Sequence, residues 1–414
     1  MKRLLALLPS PQDRLELALL AEKGIEAVYL DDPGWRSYAA SLQKFDPVEL
    51  VRNAISMGRD MAVDGIFFTE DLVNFVGAVV GRELMLPTPS VEAMFRANHK
   101  FYSRSCELHP IRFQGFRLDQ DEWMGQIPFP SHLKPTSLFF SLLQTTVTNE
   151  QELASAVAEL RDKLPAFARP YKELFGRHVD VDRFPLAAHD IFVVEEFVTC
   201  RSQHAVEGWT DAAGRHSIWA VSDNNYFPGT RSALENNSVP SRLSQLEAER
   251  VTRAAFEAIE NIGIRNGFWN VELWVLPNDD IRITEINGRA CVSMTPLYKY
   301  VLGKSQYAIL AKLATNLPIE ESDLAGMPNG VGGMFAVSTN KRGHVRDLLD
   351  EEAFSLVQHL PGVVRTAQLF PGDAYIDWHQ TGGRSCLARF WLVGDSYREI
   401  TAKASVIRAR VLKD

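Results

Sequence analysis

Cysteine is scarce in this chain. Its 414 residues hold four, at Cys106, Cys200, Cys291 and Cys386, far apart and with no CxxC pair. Neither a zinc site nor a disulfide framework is indicated, and a reducing cytoplasm is the expected home. Long apolar runs are also missing: no stretch approaches the roughly 20 residues that cross a bilayer, so no membrane partner is expected. Positive charge is not in excess. The formal net charge of -8 excludes a nucleic-acid surface as the main partner, since phosphate neutralisation needs a basic face. Low-complexity tracts, internal repeats and polar linkers are absent as well. The opening MKRLLALLPSPQDRLELALL has the positive end of a signal peptide, but Pro9, Asp13, Arg14 and Glu16 cut its apolar run short. It reads as a first strand followed by a helix.

What is present is the composition of a folded soluble chain, 46% hydrophobic and 23% charged, long enough for two to four units and a cleft between them. Residues 1 to 95 alternate strand and helix: RLLALL, a helix to Ala21, IEAVYL, a helix through Val48 to Met57, DGIFF, a helix to Val80, then an extended ELMLPTP. That is an α/β pattern with a parallel sheet, the class that binds ligands at the carboxyl ends of its strands. The second unit, 96 to 200, begins near VEAMFRANHKFYSRS, read as one helix with Lys100 near its middle. It continues through PSHLKPTSLFFSLLQTTV, a helix from Glu150 to Leu164 and the apolar strand DIFVVEEFV. Residues 201 to 328 carry SIWAVSD, a helix over 243 to 261 and a hairpin; 329 to 414 read as a small strand-rich module ending in a helix from Ser396.

The hairpin is VELWVLPNDDIRITEINGR, Val271 to Arg289. Two alternating runs flank Pro277-Asn278-Asp279-Asp280, and the pairing sum puts Glu272 directly opposite Glu285. Cross-strand Cβ atoms lie roughly 4.5 to 5.5 Å apart, and like charges there repel. Glu285, Asn287 and Arg289 share one face, two residues apart in each step. Two acids, an amide and a guanidinium on one surface suit a hard cation held by oxygen, Mg²⁺ or Mn²⁺, with substrate phosphate completing the shell. The bland alternative is an exposed hairpin whose acids part in water. His109, His132, His178, His189 and His204 match no pair with carboxylates and are read as solvated or satisfied in the core. Trp209, Trp219 and Trp269 are read as core, and Trp274, on the Glu272 face, as a cleft residue. Gly332-Gly333 marks a strand entry.

GFWNVELWVLPNDDIRITEINGRA resembles the metal-binding signature of the ATP-grasp carboxylate-amine ligases, in which an acid on one strand precedes Glu-x-Asn-x-Arg on the next. LPTPSVEAMFRANHKFYSR, IPFPSHLKP, IFVVEEFV and PGVVRTAQLFPGD resemble further family segments in the family's order, the last pointing to the L-amino-acid ligase (dipeptide synthetase) branch. The resemblance implies an ATP-grasp fold: an N-terminal parallel α/β domain, a central lid that moves, a catalytic unit and a small C-terminal module. It implies that Glu272, Glu285 and Asn287 hold the metal and that Arg289 faces the γ-phosphate. It further implies that Lys100 and Lys134 bind nucleotide phosphates, that Ser141 stands in the flap, and that Glu195, Glu196 and Val198 meet adenine. The activity implied is ligation of an acid, an L-amino acid, to an amine, a second amino acid. It uses ATP and Mg²⁺ or Mn²⁺, passes through an acyl phosphate and releases ADP and phosphate. Alternatives are an amide ligase for a non-standard acid or amine in a natural-product pathway, a phosphotransfer enzyme without an amine acceptor, and a nucleotide-binding regulator without turnover. The partners are small molecules, and a homodimer is the default assembly.

Four places depart from the family. After Lys134 comes PTSLFFS where a glycine-rich flap is usual, so apolar bulk is expected to shield the nucleotide. Thr199-Cys200 replace the hinge glycine, with no clear acid near Ser202 for the ribose. His99 stands where aspartate is frequent before Lys100. Asn237 occupies a position where a histidine is common.

Overall fold

A computed structural model describes residues 1–31, 45–120, 127–139, 141–228, 233–376 and 383–413. Strands β1 (Lys2–Leu7), β2 (Ile25–Leu30) and β3 (Gly65–Phe67) form a parallel sheet in the order β2-β1-β3. Alternate residues of β1 enter different cores. Leu4 and Ala6 join Leu297, Ile309 and Leu313, whereas Leu5 and Leu7 join Leu50, Val51 and Val76. A strand covered on both faces has no polar side, so it reads as an unbroken apolar run. Gly65 is the tightest point of that layer: a Cβ there would stand 2.2 Å from the carbonyl oxygen of Ala314.

Two helix boundaries differ from the sequence reading. The helix Asp71–Leu84 runs on past Val80, so Glu83 and Leu84 are helical rather than extended. The helix expected across 91 to 105 is two, Val91–Asn98 and Lys100–Ser105, broken at His99 (φ -98°, ψ 99°). Lys100 therefore opens a helix instead of sitting inside one. The break seats the His99 ring among Phe95 and Tyr102, with centroids 5.3 and 4.8 Å away.

Strands β4 (Phe113–Arg117), β5 (Ser131–Pro135), β6 (Thr145–Val147) and β7 (Ile191–Glu196) make an antiparallel sheet in the order β4-β7-β5-β6. The helix against it spans Glu150–His178, well beyond Leu164, and contains Pro165 and Pro170. Each proline removes an amide donor. The helix persists because its buried stripe does: Leu153, Val157, Leu160 and Leu164 belong to this sheet's core, and Tyr171, Leu174 and Phe175 to that of the first domain.

The third sheet comprises β8 (Ser202–Thr210), β9 (His216–Tyr226), β10 (Leu234–Val239), β11 (Gly267–Val275), β12 (Ile281–Asn287) and β13 (Val331–Thr339). After the short β14 (Gly343–His344), β15 (Val363–Gln368), β16 (Tyr375–Ile376) and β17 (Ser385–Gly394) follow. Its eight strands run β12-β11-β8-β9-β10-β13-β17-β15, so strands from the last 90 residues extend the hairpin's own sheet. Directly paired residues share a face. One cross-strand row therefore runs Trp274, Gln203, Asn224, Asn237, Met334, Trp391, Arg365. The opposite face takes the helix Gln245–Ile262, which Ser244 and Glu247 start with a capping box and Gly263, at φ +87°, ends. Among the described residues no helix is long and apolar enough to cross a membrane.

Candidate active site

The hairpin pairs Glu272 with Glu285, but not by one uniform register. The turn closes through Leu276 N to Asp280 O (2.8 Å), and beside it Val275, Trp274 and Leu273 pair with Ile281, Arg282 and Ile283. A bulge then leaves Thr284 unpaired, and Glu272–Glu285, Val271–Ile286 and Asn270–Asn287 follow. The additional residue shifts the register by one and aligns the two acids. It also exposes the Ile283 and Thr284 carbonyls to Arg104, which donates to both at 2.5 and 2.9 Å.

Lys100, Lys134, Ser141, Glu195, Glu196, Val198, Glu272 and Glu285 line one cavity of about 590 Å³ together with Trp274, Gln203 and Tyr226. The Lys100 ammonium stands 3.3 Å from Glu285 and donates to the Leu138 carbonyl at 2.7 Å. Burial raises the Glu272 carboxyl, and the charge of Glu285 adds to it, pushing it up to about 7. Glu285 is also opposed by burial, but Lys100 and Lys134 outweigh this and hold it below the usual range. One acid of the pair is thus stabilised by ammonium groups and its neighbour is left partly protonated, an arrangement that a divalent cation between them would relieve. Asn224 donates to Glu272 at 3.4 Å and accepts from Asn237 at 2.6 Å. Asn287 donates to Asn270 at 3.4 Å, so its amide oxygen remains the acceptor. Two carboxylates and an amide oxygen fit Mg²⁺ or Mn²⁺, with waters and phosphate oxygens to complete the shell.

Other placements depart from the expectations. Asn287 and Arg289 stand outside the cavity lining; the partly buried Arg289 guanidinium donates to Asp71 at 2.8 Å. The Glu195 carboxylate is 2% exposed and is held by Arg104 and Lys134, each at 2.8 Å. Burial opposes its charge, but these two cations keep it well below the usual range. A base in the cavity would meet the 196–198 backbone more readily than this occupied carboxylate. The flap differs too. Leu138 and Phe139 do not cover the cavity but enter the second and first cores, and Ser141 takes a left-handed φ of 55°. Phe140 lies outside the described residues. His204 does meet a carboxylate, Asp223 at 3.0 Å on the neighbouring strand, and Ser202 at 2.7 Å. Trp274 reaches the cavity, while Trp209, Trp219 and Trp269 are buried.

Sequence reasoning missed Arg104, although its spacing of four from Lys100 puts both on one helix face. It missed Asp71, for which no local signal exists, since the contact spans 218 positions.

The ATP-grasp domain family matches residues 127–295, and the chain shares the fold of the ATP-grasp ligases. ATP with Mg²⁺ or Mn²⁺ is the cofactor pair of this class. The chain is similar throughout its length to an L-amino acid ligase from Bacillus licheniformis, at TM-score 0.78 and 14% identity, covering 100% of this chain and 98% of that one. It is also similar to an N5-carboxyaminoimidazole synthase from Aspergillus clavatus crystallised with ADP (TM-score 0.68, 15% identity, 99% of each chain). A biotin carboxylase from Campylobacter jejuni is a further structural relative (TM-score 0.63, 15% identity, 99% and 91%). No curated protein matches the chain in sequence.

Proposed function

We propose that this protein is an ATP-dependent ligase that joins an L-amino acid, through its carboxylate, to the amine of a second amino acid. The observation that carries the reading is the opposed pair Glu272 and Glu285 at the head of a cavity lined by Lys100 and Lys134. The whole-length likeness to an L-amino acid ligase supports the substrate class. Glu272, Glu285 and Asn287 hold the cation, which neutralises phosphate charge when bound. Lys100 and Lys134 supply point charges for the phosphates, and the 196–198 backbone borders the base. A carboxylate oxygen attacks the γ-phosphorus and ADP leaves; the amine then attacks the acyl carbon, phosphate leaves, and the amine's extra proton passes to solvent. An acyl phosphate hydrolyses in water, so the unit 96–200 acts as a lid that excludes it. Arg289, held by Asp71, would face the γ-phosphate. An acid or amine outside the standard amino acids would use the same residues and differ in the pocket alone.

The test is phosphate release from ATP and Mg²⁺ across a matrix of amino-acid pairs, with products identified by mass and Glu285→Gln as control. Release confined to particular pairs and lost in the control supports the reading. Release from no mixture, or full activity in the control, overturns it.

A further inference from the structure

The cavity has two walls, and the segment 197–201 joins them. One wall is the four-stranded sheet; the other is the hairpin end of the eight-stranded sheet. On the first, β7 runs into the connecting segment, and its penultimate residue Glu195 pairs with His132 of β5. On the second, β8 leaves the segment, and its second residue Gln203 pairs with Trp274 of β11. Arg201 ties segment and wall together, its amide donating to the Val275 carbonyl at 2.7 Å. Residues two apart in a strand share a face. His132 is thus one step from Lys134 toward the connecting segment, and Trp274 is one step from Glu272 in the same direction. Ammonium and carboxylate groups occupy one level of the cavity; at the next stand two aromatic rings, one on each wall, and both line it.

Each ring is set by its own sheet. His132 Nδ1 lies 3.0 Å from the Thr146 hydroxyl on β6, and Trp274 is flanked by Gln203 and Arg282 on the strands beside it. Among the described residues neither ring packs against another aromatic side chain. Desolvation in the cavity and then the Lys134 charge push the His132 pKa down to about 4, so the imidazole is neutral near pH 7. Glu195, the cross-strand neighbour of His132, is committed to Arg104 and Lys134. What this level offers a ligand is ring faces. We propose that His132 and Trp274 grip the nucleotide base between them, so that the site selects a flat, two-ring base by stacking more than by the groups on its edge. This rests on the placement of the phosphates at Lys100 and Lys134 given above and is independent of which acid and amine react. Imidazole and indole faces both stack on bases, and each such contact is worth roughly ten- to a hundredfold in affinity.

The test titrates Mg²⁺ and nucleoside diphosphates into the full chain by calorimetry, with tripolyphosphate as the ligand that has no base. ADP and purine riboside diphosphate, which lacks the amino group, should bind the wild type within about threefold of each other, and CDP roughly tenfold more weakly. His132→Ala and Trp274→Leu should each weaken ADP roughly tenfold and leave tripolyphosphate unchanged, whereas His132→Phe and Trp274→Phe should stay within about threefold of the wild type. Tryptophan emission should fall when ADP binds the wild type and hold steady when it binds Trp274→Phe. Should a truncated variant not fold, the phenylalanine variants and the wild-type affinities still decide. Purine riboside diphosphate binding as weakly as CDP, ADP affinity unchanged in the folded truncations, or equal losses for ADP and tripolyphosphate overturns this proposal alone. ADP that does not bind the wild type overturns the nucleotide placement and this proposal with it.

Discussion

Cation binding should release a proton, and the amount is fixed by Glu272. Its carboxyl rises from 4.5 to about 7 through burial and the facing Glu285. At ~1.36 kcal/mol per tenfold, that rise corresponds to about 3.4 kcal/mol of cost to its charged form. A divalent ion between the acids requires both to be ionised, so the residual proton must leave. Mn²⁺ added to the free protein should therefore displace about 0.9 proton at pH 6, about 0.5 at pH 7 and about 0.1 at pH 8. Apparent affinity should fall about tenfold from pH 8 to pH 6 by the same linkage. Titration calorimetry in buffers of different ionisation enthalpy measures the proton count directly. Glu272→Gln should bind weakly and release almost none. A count independent of pH, or one unchanged in Glu272→Gln, would refute the assignment of the facing acids to a cation.

Further consequences concern the surrounding frame. His99 is fully buried with, among the described residues, no hydrogen-bond partner for either ring nitrogen, and burial pushes its pKa down to about 3 from 6.5. The fold keeps it neutral while the unfolded chain protonates it below pH 6.5, so this contribution is present above that pH and is lost on acidification. The loss is about 1.4 kcal/mol at pH 5.5, and His99→Phe should remove that slope in urea melts and stabilise the protein at every pH. Asp71→Asn removes the ion-pair partner of the largely buried Arg289 guanidinium and should cost about 2–4 kcal/mol in denaturant unfolding. Gly65→Ala drives a methyl to within 2.2 Å of the Ala314 carbonyl and should cost about 1–3 kcal/mol, read as a lowered Tm.

The sites that were legible in sequence are those set by local periodicity. Alternation along Val271–Val275 and Ile281–Asn287 fixes which side chains share a face, and the turn residues fix where the strands fold back. Glu272 consequently meets Glu285, even though the Thr284 bulge that brings about this pairing carries no sequence signal. Lys100, Lys134 and Glu195 came from a resemblance of segments in order, and the chain brings them to one cavity. The flap expectation failed because Leu138 and Phe139 found deeper apolar cores than the cavity offers. The uninterrupted helix across 91 to 105 failed because burying the His99 ring outweighed continuing the hydrogen-bond ladder.

By itself the amino-acid order determined the parallel first layer, the antiparallel hairpin and the acid pair, since periods of two and 3.6 residues act over a few positions and need no distant partner. Only the tertiary structure decided that Glu195 is held between Arg104 and Lys134, that Arg289 docks on Asp71, and that Arg365 closes the row begun by Trp274. Those contacts join residues tens to hundreds of positions apart. They follow from which surfaces of the sheets pack together, and no local pattern encodes that choice.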